Sequence, residues 1–343
     1  MASPVEVSMR KRSSKAYTML AILVAAIVVV FIISMNTGFI RLSPLDVLRT
    51  LFGQGTDQQE LILFEFRLPR IIISVLVGAG LALSGAILQG LSRNALADPG
   101  ILGINAGAGL AVVLFISFFP IKQAAPVFMM PLLAMLGAGA AAALIYVLAF
   151  KKSAGISPTR LVLVGIAVAA GINAAMLVLT IKLNPQNYQF VAVWLAGSIS
   201  GNSWKFVGAL LPWLIIIIPY VLYKAQSLNV LQLGDQLANG LGSAVERERL
   251  GLLVAAVALA GSCVAVGGGI GFVGLIGPHL ARQLVGPKNQ FLLPASMLTG
   301  GLLLIAADTI GRWILQPSEI PTGIVVAVIG APYFLFLLAK SKA

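Results

Sequence analysis

The feature that most constrains this chain is a succession of apolar runs close to the length of a bilayer's hydrocarbon core. A helix crossing that core needs about 20 apolar residues. Runs at roughly 17–35, 68–90, 100–119, 127–150, 159–181, 206–223, 250–267, 271–285, 290–313 and 321–339 meet or approach that length. The run at 271–285 is short and is weakened by Gly271, Gly274, Gly277 and Pro278. The apolar stretch 190–200 is shorter still and suits a re-entrant or interfacial piece. Composition points the same way. Of 343 residues, 59% are hydrophobic and 10% are charged, against about 25% charged in a soluble domain. So few charges could not cover a soluble surface. The expectation is an all-α integral membrane protein of about ten transmembrane helices, with a tail at 1–15 and a single polytopic membrane domain at 16–343.

Arg10, Lys11, Arg12 and Lys15 precede the first run. A signal peptide also begins with basic residues, but its apolar core is shorter, roughly 7–15 residues, and ends at a small-x-small site. Ser34-Met35-Asn36 is a poor site, so the run reads as a retained first helix. Placing both termini in the cytoplasm and alternating ten spans puts fifteen of the 23 basic residues inside, from Arg10 through Lys151 and Lys152 to Lys340 and Lys342. That is the expected positive-inside bias. The formal charge of +12 does not make this a nucleic-acid binder, because the basic residues are scattered between apolar runs and form no patch.

Glycine is abundant at 36 residues. Gly78-Ala79-Gly80, Ser84-Gly85-Ala86, Gly107-Ala108-Gly109 and Gly137-Ala138-Gly139 all lie inside runs. Small residues let helices approach closely where no hydrophobic drive separates helix from lipid. Ala82-Leu83-Ser84-Gly85 weakly echoes Ala258-Leu259-Ala260-Gly261, as duplicated transporter halves do.

One polar insert, 224–249, stands between spans on the expected cytoplasmic side. Leu233, Leu237 and Leu241 fall at i, i+4 and i+8, one stripe of a short helix. Such a stripe lies in the headgroups or docks into a partner's groove. Few basic residues flank it, which favours a protein partner.

Catalytic chemistry is missing from the sequence. No G-x-x-x-x-G-K-[S/T] phosphate loop occurs, so ATP hydrolysis is not expected of this chain. The single cysteine, Cys263, allows no intrachain disulfide and no cysteine metal cluster, and no metal-ligating cluster of His and carboxylates is visible. The single histidine, His279, reads as a polar residue at a helix end beside Pro278. Asp308 is the candidate intramembrane carboxylate. Arg312 lies four residues on, so the two read as a structural pair on one helix face rather than a proton relay.

Five blocks in order carry a resemblance. Arg67-Leu68-Pro69-Arg70 leads into Val77-Gly78-Ala79-Gly80 and Ser84-Gly85-Ala86. Leu96-Ala97-Asp98-Pro99-Gly100-Ile101-Leu102-Gly103 follows. Then come Gly269-Ile270-Gly271-Phe272-Val273-Gly274-Leu275-Ile276-Gly277-Pro278-His279, Ala307-Asp308 with Arg312, and Glu319-Ile320-Pro321-Thr322-Gly323 with Gly330-Ala331-Pro332. Together they resemble FecCD-type permeases, the membrane subunits of iron-siderophore, haem and vitamin B12 ABC importers, across about residues 40–339.

The resemblance implies a type II ABC importer permease fold like that of the vitamin B12 importer. It also implies a second permease subunit, identical or paralogous, a cytoplasmic ATPase dimer carrying ATP and magnesium, and an extracytoplasmic binding protein. Residues 227–243 then match cytoplasmic coupling helices, with Leu233, Leu237 and Leu241 anchoring and Gly234, Ala238 and Gly242 allowing close contact. Arg67, Arg70 and Arg312 match outer-face arginines that dock the binding protein. Pro99, Gly100, Gly103, Gly271, Gly274, Pro278, His279, Asp308, Pro321 and Gly323 are the family's structural positions. The implied setting is a bacterial cytoplasmic membrane, and the implied cargo is a ferric siderophore, with vitamin B12 or haem as alternatives. An ion-coupled carrier is the competing class.

Overall fold

The computed structural model describes residues 4–38, 40, 42–119, 129–151 and 155–341. Lys152 and Lys342, which entered the charge bias, lie outside these. Helix dominates. α1 (Pro4–Asn36) leads to two short helices, α2 (Pro44–Leu51) and α3 (Asp57–Glu60), and then to a π-helical turn, Leu61–Arg67, that runs straight into α4 (Leu68–Ser92). A 3-10 turn at Pro99–Leu102 precedes α5 (Ile104–Phe118). α6 (Met129–Ala149), α7 (Pro158–Ile181), α8 (Pro185–Leu195) and α9 (Trp204–Tyr223) follow. Then come α10 (Ala225–Gln232), α11 (Asp235–Gly240), α12 (Val245–Gly267), α13 (Val273–Val285), α14 (Asn289–Ile314) and α15 (Thr322–Ser341). Between α6 and α7 a two-residue antiparallel pairing joins Phe150 to Ile156 and Lys151 to Gly155.

Seven segments are long and apolar enough to cross a membrane: Ser13–Asn36, Asp57–Ser92, Met129–Ala149, Thr159–Ile181, Trp204–Tyr223, Val245–Gly267 and Asn289–Ile314. Ile104–Phe118 and Thr322–Phe336 are apolar but shorter, and α13 has 13 residues. These elements coincide with the ten apolar runs of the sequence.

α4 is the hub. It packs against α14, α12 and α13, and its most apolar window is 78% buried, while that of α7 is 17% buried. The hub contacts are made by glycine. A Cβ at Gly78 would fall on the carbonyl of Gly300 in α14, and one at Gly85 would fall on the carbonyl of Gly274 in α13. Gly107 and Gly137 make the same backbone approach between α5 and α6. Close helix approach therefore supplies the packing that the hydrophobic effect cannot supply between helices in lipid.

Four features differ from the sequence expectation. α1 is continuous back to Pro4, so most of the expected tail is helical. The short piece near 190–200 is α8, and it begins at Pro185 because Asn184 caps it, accepting from the Asn187 amide at 2.8 Å. α2 and α3 were not expected. Each starts in a capping box, Ser43 with Asp46 and Thr56 with Gln59. His279 sits in the middle of α13 rather than at its end.

Candidate functional site

The insert after α9 folds as two short helices, and the leucine stripe read from helical spacing is divided between them. Gly234 separates them at φ +109, a backbone conformation that glycine adopts without strain. Leu233 closes α10, Leu237 lies in α11 and Leu241 closes α11. All three are exposed, at 57%, 62% and 67%. They form an apolar strip at one end of the bundle that no part of the described chain covers. Ala238 turns the other way and is fully buried, so it supports the strip from beneath. A Cβ at Gly234 or Gly242 would meet nothing within 4 Å, and Gly242 has φ +81. The positive φ at both positions is one that glycine adopts without strain.

This strip is held firmly. Asp235, at the start of α11, accepts from Arg249 of α12 at 2.8 Å and from Arg93, which ends α4 in a left-handed conformation. Arg93 also donates from Nε to the Leu231 carbonyl at 3.2 Å. Asn229 accepts from the Asn289 backbone at 3.0 Å and side chain at 2.7 Å, and donates to Gln290 at 3.0 Å, fixing α10 to the start of α14. Leu228 and Leu231 of α10 are buried, with Leu228 against Gly90 of α4. Lys224 pairs with Glu248 at 2.7 Å. Partial burial pushes the Asp235 carboxyl up, but the hydrogen bonds and charges of Arg249 and Arg93 outweigh it and hold it below the usual carboxylate range. The hub helix α4 and the span α12 are thus clamped to the exposed leucines by ionic and hydrogen-bonded contacts.

At the other end of α4 lies a second cluster. Asp308 of α14 is 1% exposed and accepts from four donors: Arg70 Nε at 3.0 Å and Nη2 at 2.9 Å, Arg312 Nε at 3.1 Å and the Thr322 hydroxyl at 3.1 Å. Arg70 also binds Glu319 at 2.8 Å, and Glu319 accepts from Ser200 at 3.0 Å. Arg312 reaches back to α1, donating to the Thr37 carbonyl at 2.9 Å and to the Ser34 hydroxyl. Arg67, at the end of the π-helical turn, donates to the carbonyls of Met35 and Ile40. Arg67 and Arg312 are 6% and 5% exposed, and the Arg70 side chain is 11% exposed. The sequence suggested three arginines offered to a partner. The structure commits all three to this chain's own carboxylates and helix-end carbonyls, because each guanidinium has five donors to satisfy once desolvated. The Asp308–Arg312 pair expected from spacing is present, and Arg70 joins it from 238 residues away.

Of the family-like glycine and proline positions, Gly274 packs against α4 near its middle, where a Cβ would come within 3.1 Å of the Leu81 carbonyl. Gly274 faces Pro99 and Asp98, where a Cβ would come within 2.6 and 2.8 Å. Asp98 caps the Pro99–Leu102 turn by accepting from Gly100 at 2.8 Å, and Gly103 ends it at φ +67. Gly323 donates its amide to the Gly197 carbonyl at 2.8 Å, directly after Pro321 opens α15. Pro278 lies inside α13, with His279 next to it against Gln283 at 2.9 Å and edge-on to Tyr333 at 5.9 Å. Gly271 meets nothing within 4 Å. Among the described residues no group of three or more His, Cys, Asp or Glu could hold a metal ion.

Sequence reasoning missed Arg93, Asp235, Arg249, Asn229 and Asn289. Its only signal for them was the charged run Glu246-Arg247-Glu248-Arg249, which does not reveal which residue reaches back to Asp235.

Comparison with known proteins agrees with this architecture. The model of the FecCD transport family matches residues 26–340. The chain is 54% identical over 338 residues to the iron(3+)-hydroxamate import system permease protein FhuG of Bacillus subtilis, covering 97% of this chain and 100% of that one. It is 47% identical over 322 residues to the Fe(3+)-citrate import system permease protein YfmE of the same organism, covering 93% and 95%. A solved structure described as an inward-facing conformation of a metal-chelate type ABC transporter superposes with a TM-score of 0.82 at 31% identity, covering 95% of this chain and 99% of that one. The seven membrane-length segments and these relatives make it a multi-pass membrane protein. This chain is a member of the FecCD transport family.

Proposed function

We propose that the chain is the membrane-spanning subunit of an ATP-driven importer in a bacterial cytoplasmic membrane. It carries a ferric chelate, most closely of the hydroxamate siderophore class. Ten helices span with both termini inside, and the chain pairs with a second permease subunit. A cytoplasmic ATPase dimer supplies the energy, and an extracytoplasmic protein delivers the chelate. The kinship to the hydroxamate permease, at 54% identity over the full length, supports the cargo class.

The observation that carries the reading is the strip Leu233, Leu237 and Leu241. Exposed leucines on a polar end of a membrane bundle are costly in water, each worth about 1.5–3 kcal/mol when buried. They are fixed to α4, α12 and α14 by Arg93, Asp235, Arg249 and Asn229. An apolar surface so anchored can receive a push from a partner and pass it into the bundle as a rigid-body movement. Nucleotide then biases the bundle only through contacts that differ between its two states.

The buried arginines revise how the opposite end would meet a delivering protein. Arg70, Arg312 and Arg67 set the positions of α1, α14 and α15, and docking falls to the surface they shape. Co-purification of the ATPase subunit with the permease tests the coupling surface. Leu237→Asp with Leu241→Asp abolishes co-purification while the permease stays folded. Retained ATPase would overturn the assignment.

A further inference from the structure

α6 and α9 both pack on α12 and leave a cleft between them on the bundle's outer wall. The cleft has a volume of about 430 Å³ and is walled by Gly139, Ala142, Tyr146, Trp213, Val254 and Ala258 among other apolar residues. A second cavity shares Met135 and Trp213 with it and extends it away from the α10–α11 end. Among the described residues, none fills the cleft. A Cβ at Gly139 would meet nothing within 4 Å, and Val254 is 58% exposed.

We propose that this cleft binds an anionic phospholipid, with one acyl chain in the cleft and the phosphate at Arg247. Arg247 lies on α12 in the row of Val254 and Ala258, at i, i+7 and i+11, one turn from Leu250 at the cleft's end. From Arg247 to Ala258 the helix rises roughly 16 Å at 1.5 Å per residue. That is about half of the ~30 Å hydrocarbon core, the depth of one leaflet. The neighbouring carboxylates are already occupied, Glu246 by Arg249 at 3.1 Å and Glu248 by Lys224 at 2.7 Å. Arg247 is exposed and makes no ion pair among the described residues. A narrow apolar slot of one leaflet's depth beneath an unpaired cation matches an acyl chain under an acidic headgroup. Anionic lipids are concentrated in the cytoplasmic leaflet, so the choice of leaflet rests on the orientation proposed above.

Trp213 in the cleft wall gives a direct readout. The full-length chain is reconstituted with brominated-acyl phosphatidylglycerol or brominated-acyl phosphatidylcholine, and quenching of the Trp213 signal is taken as the difference from Trp213→Phe. One basic residue near the surface contributes about 1 kcal/mol. Phosphatidylglycerol is therefore expected to quench at about fivefold lower mole fraction than phosphatidylcholine. Arg247→Gln should abolish that preference, Arg247→Lys should keep it, and Gly139→Leu should reduce quenching by both lipids. Equal quenching by the two lipids in the unaltered chain, or a preference that survives Arg247→Gln, would overturn the proposal. A Trp213 that neither lipid quenches would also overturn it, since the cleft would then be covered by protein, such as a second copy of this chain.

Discussion

Arg70 on α4 and Asp308 on α14 meet through two hydrogen bonds of 2.9 and 3.0 Å, joining residues 238 positions apart at the buried end of the two most closely packed helices. The pair is not isolated. Arg312 and Thr322 complete the coordination of the same carboxylate, so α4, α14 and α15 converge on one side chain.

Asp308→Ala removes the carboxylate shared by two desolvated guanidinium groups, leaving Arg70 with Glu319 alone and Arg312 with no ion pair among the described residues. Breaking a buried pair in this way costs about 3–5 kcal/mol. Thermal unfolding of the detergent-solubilised permease should shift down strongly. Arg70→Met in the Asp308→Leu background should recover part of the loss, because two apolar partners desolvate without penalty. Melting unchanged by Asp308→Ala would contradict the assignment of this cluster as a structural joint.

Arg67 discriminates between a structural and a docking role. Its guanidinium donates to the carbonyls of Met35 and Ile40, near the end of α1. Arg67→Glu should lower melting temperature and yield together with uptake. Uptake lost with melting unchanged would instead mark Arg67 as a docking residue.

Two glycines should respond in opposite directions. Gly85→Ala drives a methyl into the Gly274 carbonyl, and overpacking of this kind costs roughly 1–3 kcal/mol. Gly139→Ala points into open space and gains helix propensity, up to about 1 kcal/mol. Melting of the two single variants checks both signs.

The Asp235 clamp sets a pH dependence at the coupling end. Its carboxyl titrates below the usual range because Arg249 and Arg93 outweigh its partial burial. A carboxyl depressed in the folded state contributes stability above its unfolded value and loses it as pH falls through the depressed one. Association with the ATPase should therefore be insensitive to pH near neutrality and weaken only on the acid side. Asp235→Asn should weaken it at neutral pH and remove that acid-side change, measured by co-purification across pH.

Much of this architecture was legible because membrane helices write themselves as apolar runs. α9, α12 and α14 lie within a few residues of the runs at 206–223, 250–267 and 290–313. The capping boxes at Ser43 and Thr56 were also written in the sequence, but in a segment with no apolar period to draw attention. The arginines were not legible in the same way. Whether Arg70 faces a partner or its own chain depends on Asp308 and Glu319, which lie more than two hundred residues away and arrive only through packing. Leu233, Leu237 and Leu241 stood out by helical spacing and are exposed, yet Gly234 divides that spacing between two helices. Leu233 and Leu241 each close a short helix, and those helices are held by Asp235 and Asn229.

The central claim is that force enters this bundle through Leu237 and its neighbours from an ATP-hydrolysing partner. Uptake of a ferric hydroxamate into proteoliposomes holding permease, ATPase subunit and binding protein tests it most directly. Uptake should require ATP and the ATPase subunit, and should disappear in Leu237→Asp with Leu241→Asp although the permease still reconstitutes. Uptake that persists in that variant, or that an ion gradient drives without the ATPase subunit, would contradict it.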